Sequence, residues 1–234
     1  MIAPRFLLVI ALSVPALLCS SAARAEEPAL PEFNQLILDV INTYPTDGTH
    51  TYWWPRNGES NYDGCTTDIS LAGQRVMAGE PQRRTFCCGL TLEVFVVAYK
   101  QWLAAHGGED GSKVSPADFA RFKRLWFVLE ANGPGPSAAL EAYGLGRTIS
   151  QAEALPGDFV QLWRRSGSGH SVVFLGWAHN DAGEVIGFRY WSTQQSTQGI
   201  GEVTEYFAPE GERGVAAEHT HWARVEPAAL AAQE

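Results

Sequence analysis

The chain has 234 residues, of which 45% are hydrophobic and 18% charged, with a formal net charge of -9. That apolar content argues against a disordered chain. The negative balance, with lysine scarce and no long basic run, argues against nucleic acid or an anionic membrane surface as partner.

In chain order, residues 1–25 read as a signal peptide: Arg5 is the positive start, Phe6 to Leu18 the apolar run and Ala23-Arg24-Ala25 the cleavage site. Leu18 stands before Cys19 where a lipoprotein signal wants a small residue. The expected mature chain therefore starts at Glu26 without lipid, periplasmic or secreted, in an oxidising compartment. Residues 26–80 form an N-terminal extension of helix and loops. Within it, residues 31–44 predict a short amphipathic helix with Phe33, Leu36, Ile37, Val40 and Ile41 on one face. Residues 45–84 are broken by glycine and proline into loops and short pieces. Tyr52, Trp53 and Trp54 cluster there, followed by Tyr62. Such aromatics serve either as a platform for a sugar or peptide or as pins that fix a loop to the core.

The stretch Thr85-Phe86-Cys87-Cys88-Gly89-Leu90-Thr91 opens a helix. Thr85 is placed to cap it. Apolar residues on nearly every side from Leu90 to Leu103 predict that it is buried. A thiol in its first turn feels the positive end of the helix dipole, which favours thiolate; the alternative is a pair of small buried hydrophobes. Beyond Cys19 the cysteines are Cys65, Cys87 and Cys88, an odd number. There is no C-x-x-C spacing, so neither a zinc site nor a cofactor is expected.

After the break at Gly107-Gly108-Glu109-Asp110-Gly111, Ser115-Pro116 predicts a helix start. That helix runs through Phe119, Phe122, Leu125, Trp126 and Leu129 and stops at Asn132-Gly133-Pro134-Gly135-Pro136. A short helix spans Ser137 to Tyr143. Strands follow at Phe159 to Trp163, Ser171 to Trp177, Val185 to Ser192 after a turn at Asn180 to Gly183, and His221 to Val225. Helices first and strands afterwards predict an α+β fold, with an antiparallel sheet packed on the cysteine helix.

His170 begins the second of these strands. A sheet laid over the cysteine helix can bring it to a thiol, where imidazole takes the thiol proton and later returns it to a leaving amine. A third group is then needed to orient the ring. If the turn centres near Ala182, Gln194 lies opposite His170; a two-residue shift brings Ser192 there instead. The bland alternative for both is a polar surface loop. His219-Thr220-His221 reads as a strand end with two solvated histidines rather than a chelate, and Glu202 and Glu205 as surface glutamates.

Three segments carry a resemblance. Cys87-Cys88-Gly89-Leu90 resembles the Cys-Ser-Gly-hydrophobic motif of the papain-like NlpC and CHAP families of cell-wall hydrolases. Leu155-Pro156-Gly157-Asp158-Phe159 resembles their Pro-Gly-Asp strand, and Gly169-His170-Ser171-Val172-Val173 their histidine strand, in the same order. The resemblance covers about residues 84–195, within a papain-like domain expected over residues 81–234, and implies Cys87 as nucleophile with Cys88 in place of the usual serine. Phe86 departs from the aspartate common before the nucleophile. The oxyanion would be met by the Cys87 backbone N–H and by a further donor, Tyr52 or Tyr62. Any disulfide would then join Cys65 to Cys88 and leave Cys87 reduced. The implied activity is hydrolysis of amide bonds in peptidoglycan peptides. The rivals are an acyltransferase or transpeptidase using the same thioester, and a non-catalytic binding module.

Overall fold

The computed structural model describes residues 29–55, 62–108, 111–128 and 130–226. The leader-like segment, the expected start at Glu26 and Leu129 lie outside them.

Ten strands and four α-helices are present among the described residues. Helix α1 (Glu32–Ile41) is amphipathic as its spacing predicts: Phe33, Ile37, Val40 and Ile41 are buried. Short β1 (Thr51–Tyr52) runs parallel to β4 (Arg84–Thr85), and β2 (Ile69–Leu71) pairs with β3 (Gln74–Met77). Helix α2 (Cys87–Ala105) is the central element, with fourteen of its nineteen residues buried. Each large aliphatic or aromatic side chain buried there stabilises the fold by roughly 1.5–3 kcal/mol. Helices α3 (Phe119–Trp126) and α4 (Pro136–Ala142) follow.

The second half of the chain forms one six-stranded antiparallel sheet. Its strands are β5 (Gly146–Ile149), β6 (Phe159–Trp163), β7 (Gly169–His179), β8 (Val185–Gln194), β9 (Gly199–Tyr206) and β10 (His221–Val225), in the spatial order β5-β10-β6-β7-β8-β9. The α+β expectation is met at this level. Alternation along β6, β7 and β8, interrupted by bulges at Phe174/Gly176 and Ala178/His179, divides the side chains between two cores. Phe159, Val173, Trp191, Ala223 and Val225 join α1 and α2 in the larger one. Val160, Leu162, Val172, Phe174, Phe188, Tyr190 and Trp222 form the smaller one on the other face.

Several expectations at element ends are corrected. Thr85 does not cap α2: its hydroxyl is 2.8 Å from that of Thr193, and the N-cap residue is Phe86, without a side-chain cap. Helix α3 begins at Phe119 rather than at Pro116, because Ser115 Oγ takes the Asp118 N–H (3.2 Å) and closes a separate turn first. Strands β5 and β9 were not anticipated. In β9, Gly199 and Gly201 mask the apolar signal, and Glu202, Thr204 and Tyr206 face solvent on alternate positions.

Two glycines of the motif segments are fixed by close backbone approach. A Cβ at Gly89 would stand 1.9 Å from the Asp63 carbonyl oxygen, so the 63–64 segment can cross the first turn of α2 only over a glycine. Gly157 has φ +91°, and a Cβ there would stand 2.5 Å from the Asn34 carbonyl oxygen. The turn it makes delivers Asp158, whose carboxylate accepts from Asn34 Nδ2 (2.8 Å), Leu155 N (2.7 Å) and Arg224 Nε and Nη2 (2.9 and 2.6 Å). This segment therefore ties α1, β6 and β10 together.

Candidate functional site

Polar fasteners seat the start of α2 against the sheet. Thr91 Oγ1 lies 2.8 Å from Ser171 Oγ and accepts from Trp126 Nε1 (3.1 Å), while Ser192 Oγ donates to the Ser171 carbonyl (2.8 Å). These bonds fix the position of β7 relative to α2 at the level where both begin. Cys87, the first residue of α2, thereby comes beside His170, the second residue of β7, and both line one cleft together with Ser171. His170 Nε2 is buried and has no hydrogen-bond partner.

The two adjacent cysteines are separated by their surroundings. The Cys87 thiol is held well below the usual thiol range, chiefly by the Cys88 thiol that donates to it, then by the His170 charge and the Ser171 N–H, against the opposing effect of burial. The Cys88 thiol is pushed up, first by burial and then by the neighbouring Cys87 sulfur. The two thiols are thus pushed in opposite directions. Cys88 belongs to the apolar core, whereas Cys87 does not. As the first residue of α2, Cys87 presents a backbone N–H with no intrahelical acceptor.

A cleft of about 350 Å³ opens over the pair. Its walls include Tyr52, Trp54, Phe127, Val128, Gln161 and Trp163. The β1–β4 pairing puts Tyr52 beside Thr85, and the Trp53 N–H donates to the Thr85 carbonyl (2.9 Å), so the aromatic segment is stitched to the lead-in of α2. Burial raises the Tyr52 phenol first, and the Cys87 and Cys88 sulfurs, which line the same cleft, raise it further. Trp54 is half-exposed and packs edge-on against Phe86, with centroids 5.3 Å apart. Val128 holds φ +57°, a strained conformation for a β-branched residue and one that clusters at functional sites.

The other expected site residues fall elsewhere. Trp53 lies under the Arg84 guanidinium, 4.1 Å from its ring centroid, and does not line the cleft. Tyr62 neighbours the same guanidinium and is likewise not part of the cleft wall. Gln194 and Ser192 do not reach the distal ring nitrogen. The register is the expected one, with Val173 opposite Trp191 and Phe174 opposite Tyr190. However, Ser192 is spent on the Ser171 carbonyl, and the Gln194 amide lies between the Tyr190 hydroxyl (2.9 Å) and Ser196 (2.6 Å). No disulfide joins Cys65 to Cys88: all three cysteines are free and buried. Cys65 sits instead beside Glu93, with its thiol raised by burial and by that carboxylate.

Sequence reasoning missed Glu205. Its carboxylate accepts from Arg164 Nε (2.8 Å) and Nη2 and from the Tyr190 hydroxyl. Its side chain is only 19% exposed, so it is not a surface glutamate. Alternation along β9 was the available signal, since it turns Val203 and Glu205 to the side opposite Glu202. The Tyr190 ring packs edge-on against His170, with centroids 5.6 Å apart. His221 Nε2 lies 2.9 Å from the Asn132 carbonyl. Among the described residues no group of three His, Cys, Asp or Glu is arranged to hold a metal ion, and no helix is long and apolar enough to cross a membrane. Comparison with models of known families, with curated proteins and with solved structures finds no match for this chain.

Proposed function

We propose that this chain is an exported papain-like cysteine hydrolase of the NlpC/CHAP kind that cleaves amide bonds in peptidoglycan peptides. The observation that carries this reading is the Cys87–His170 pair: a thiol held well below its ordinary range beside an imidazole, both lining one cleft. The leader-like residues 1–25 support export, and the three motif segments support the family.

In the proposed reaction the Cys87 thiolate attacks the carbonyl carbon of the scissile amide. The oxyanion that forms is met by the Cys87 backbone N–H and the Tyr52 hydroxyl. Protonated His170 gives its proton to the amine as the C–N bond breaks, leaving a thioester and a neutral imidazole. Water then attacks the thioester with His170 as base. The acid leaves, and the thiolate–imidazolium pair is restored. The aromatic walls of the cleft would exclude bulk water from the thioester.

Incubating the protein with purified peptidoglycan and assaying new amino groups and fragment masses tests the proposal. Wild type should release peptides with new amino termini. Cys87→Ala and His170→Ala should each lower the rate by more than about 10³-fold while remaining folded. Full cleavage by both variants would overturn the assignment.

A further inference from the structure

The His170 ring lacks the partner that an orienting group would give it. Its Nε2 is buried and unpaired, and neither Gln194 nor Ser192 is turned to it. A buried imidazole must either stay neutral or find compensation for its charge. On the same side of the sheet stands a clamped carboxylate. Arg164 grips Glu205 with two donors, and the Tyr190 hydroxyl reaches the same carboxylate. The phenol has one proton, and the carboxylate is its stronger acceptor. The Gln194 amide therefore meets the phenolic oxygen with its N–H end, its Oε1 accepting from Ser196. Every member of this cluster is then satisfied, and its geometry is rigid.

We propose that Glu205 is the positioning residue for His170: its carboxylate, fixed by Arg164 and Tyr190, acts across the Tyr190 ring to hold the imidazolium against the Cys87 thiolate. This rests on the hydrolase reading above. The Tyr190 ring, packed edge-on against the imidazole, sets its tilt. The charge on Glu205 supplies the electrostatic support that a hydrogen bond to Nε2 supplies where an amide or carboxylate touches the ring. Burial opposes ionisation of Glu205, but Arg164 first, then Tyr190 and then His170 favour the carboxylate. The titratable and charged groups around the pair are Cys87 and Cys88 from α2, Tyr52 from β1, Tyr190 from β8, Glu205 from β9 and Arg164 just after β6. Arg164, the cation among them, holds the Glu205 carboxylate by two bonds.

Alkylation of Cys87 by iodoacetamide, followed across pH by peptide mass, reads the ion pair without turnover. In Glu205→Gln the neutral thiol–imidazole pair should gain on the thiolate–imidazolium pair, so that the alkylation rate near neutral pH falls about tenfold and the midpoint rises by about one pH unit. Glu205→Asp should restore most of the shift, whereas a purely structural role would lower the melting temperature and leave the midpoint in place. An unchanged midpoint in Glu205→Gln, with His170→Ala moving it, overturns the positioning role and leaves the hydrolase reading intact. An unchanged midpoint in His170→Ala overturns the hydrolase reading itself. Should Glu205→Gln fail to fold, Tyr190→Phe carries the test, since it keeps the ring and removes the hydroxyl that holds the carboxylate. A raised midpoint there supports the role, and an unchanged one overturns it.

Discussion

Two carboxylate–arginine pairs stand on the same sheet, and they differ in what they leave over. Asp158 has no exposed side-chain surface, and each of its oxygens accepts two hydrogen bonds, from Asn34, Leu155 and Arg224. Nothing on that carboxylate is free to act on another group. Glu205 is equally well gripped by Arg164, but it keeps spare acceptor capacity and is joined through the Tyr190 ring to an imidazole with an unpaired nitrogen. A saturated carboxylate fixes the chain; an incompletely used one beside a titrating group can tune it. The acidic residue of the Pro-Gly-Asp segment thus belongs to the first kind, and a glutamate that sequence pattern assigns to the surface belongs to the second.

That contrast has its largest consequence at Asp158. Asp158→Asn leaves the Arg224 guanidinium, 13% exposed, without a counter-charge. Breaking such a pair costs about 3–5 kcal/mol, so chemical denaturation should show a loss of that order. The pH profile of Cys87 alkylation in the folded fraction should not move. Glu205→Gln should do the reverse, costing about 1–2 kcal/mol because the pair is more exposed, yet shifting the profile. If Asp158→Asn also shifts it, the two pairs are not separate devices.

Much of this arrangement was legible in the sequence. The strands from Phe159 onward read as apolar runs and are buried on both faces, and the Asn180–Gly183 turn sets a register that holds next to the site. The burial of α2 follows from its unbroken apolar character. What was not legible depends on side chains choosing among several acceptors. Thr85 prefers Thr193 across the sheet to the helix end, and Gln194 prefers Tyr190 to His170. Register places a residue opposite another, but it does not choose a bonding partner. Glu205 was hidden because its partner Arg164 is 41 residues away and reaches it only once β6, β7, β8 and β9 lie side by side.

A smaller effect is expected at the cleft wall. Tyr52→Phe removes the hydroxyl assigned to the oxyanion while keeping the ring that lines the cleft. The turnover rate should fall by about 10²-fold with little change in KM, the pattern of an interaction made only in the transition state. The alkylation rate of Cys87, which involves no oxyanion, should stay within about twofold of wild type, in contrast with Glu205→Gln. A turnover number that Tyr52→Phe leaves intact would return the oxyanion role to another donor.

The smallest effect is expected at Cys88, and it bears on how the thiolate is shared between support from the sheet and support from the helix. The Cys88 thiol is the first of the groups that favour the Cys87 thiolate, ahead of the His170 charge. A thiol is a weak donor, so its removal should cost less than loss of the imidazolium. Serine keeps a hydroxyl donor at the same position, whereas alanine leaves none. Cys88→Ser should therefore keep the alkylation midpoint and the turnover near wild type. In Cys88→Ala the midpoint should rise by about half a pH unit. The direction follows from the sign of the interaction: loss of a donor to the charged form raises the thiol pKa, so reactivity falls on the acid side and is unchanged well above the midpoint. Both variants stay folded if Cys88 acts as a small core residue, since each change is close to volume-conserving. Equal midpoints for serine and alanine would show that the thiolate is held from the sheet alone, by His170 and the Ser171 N–H.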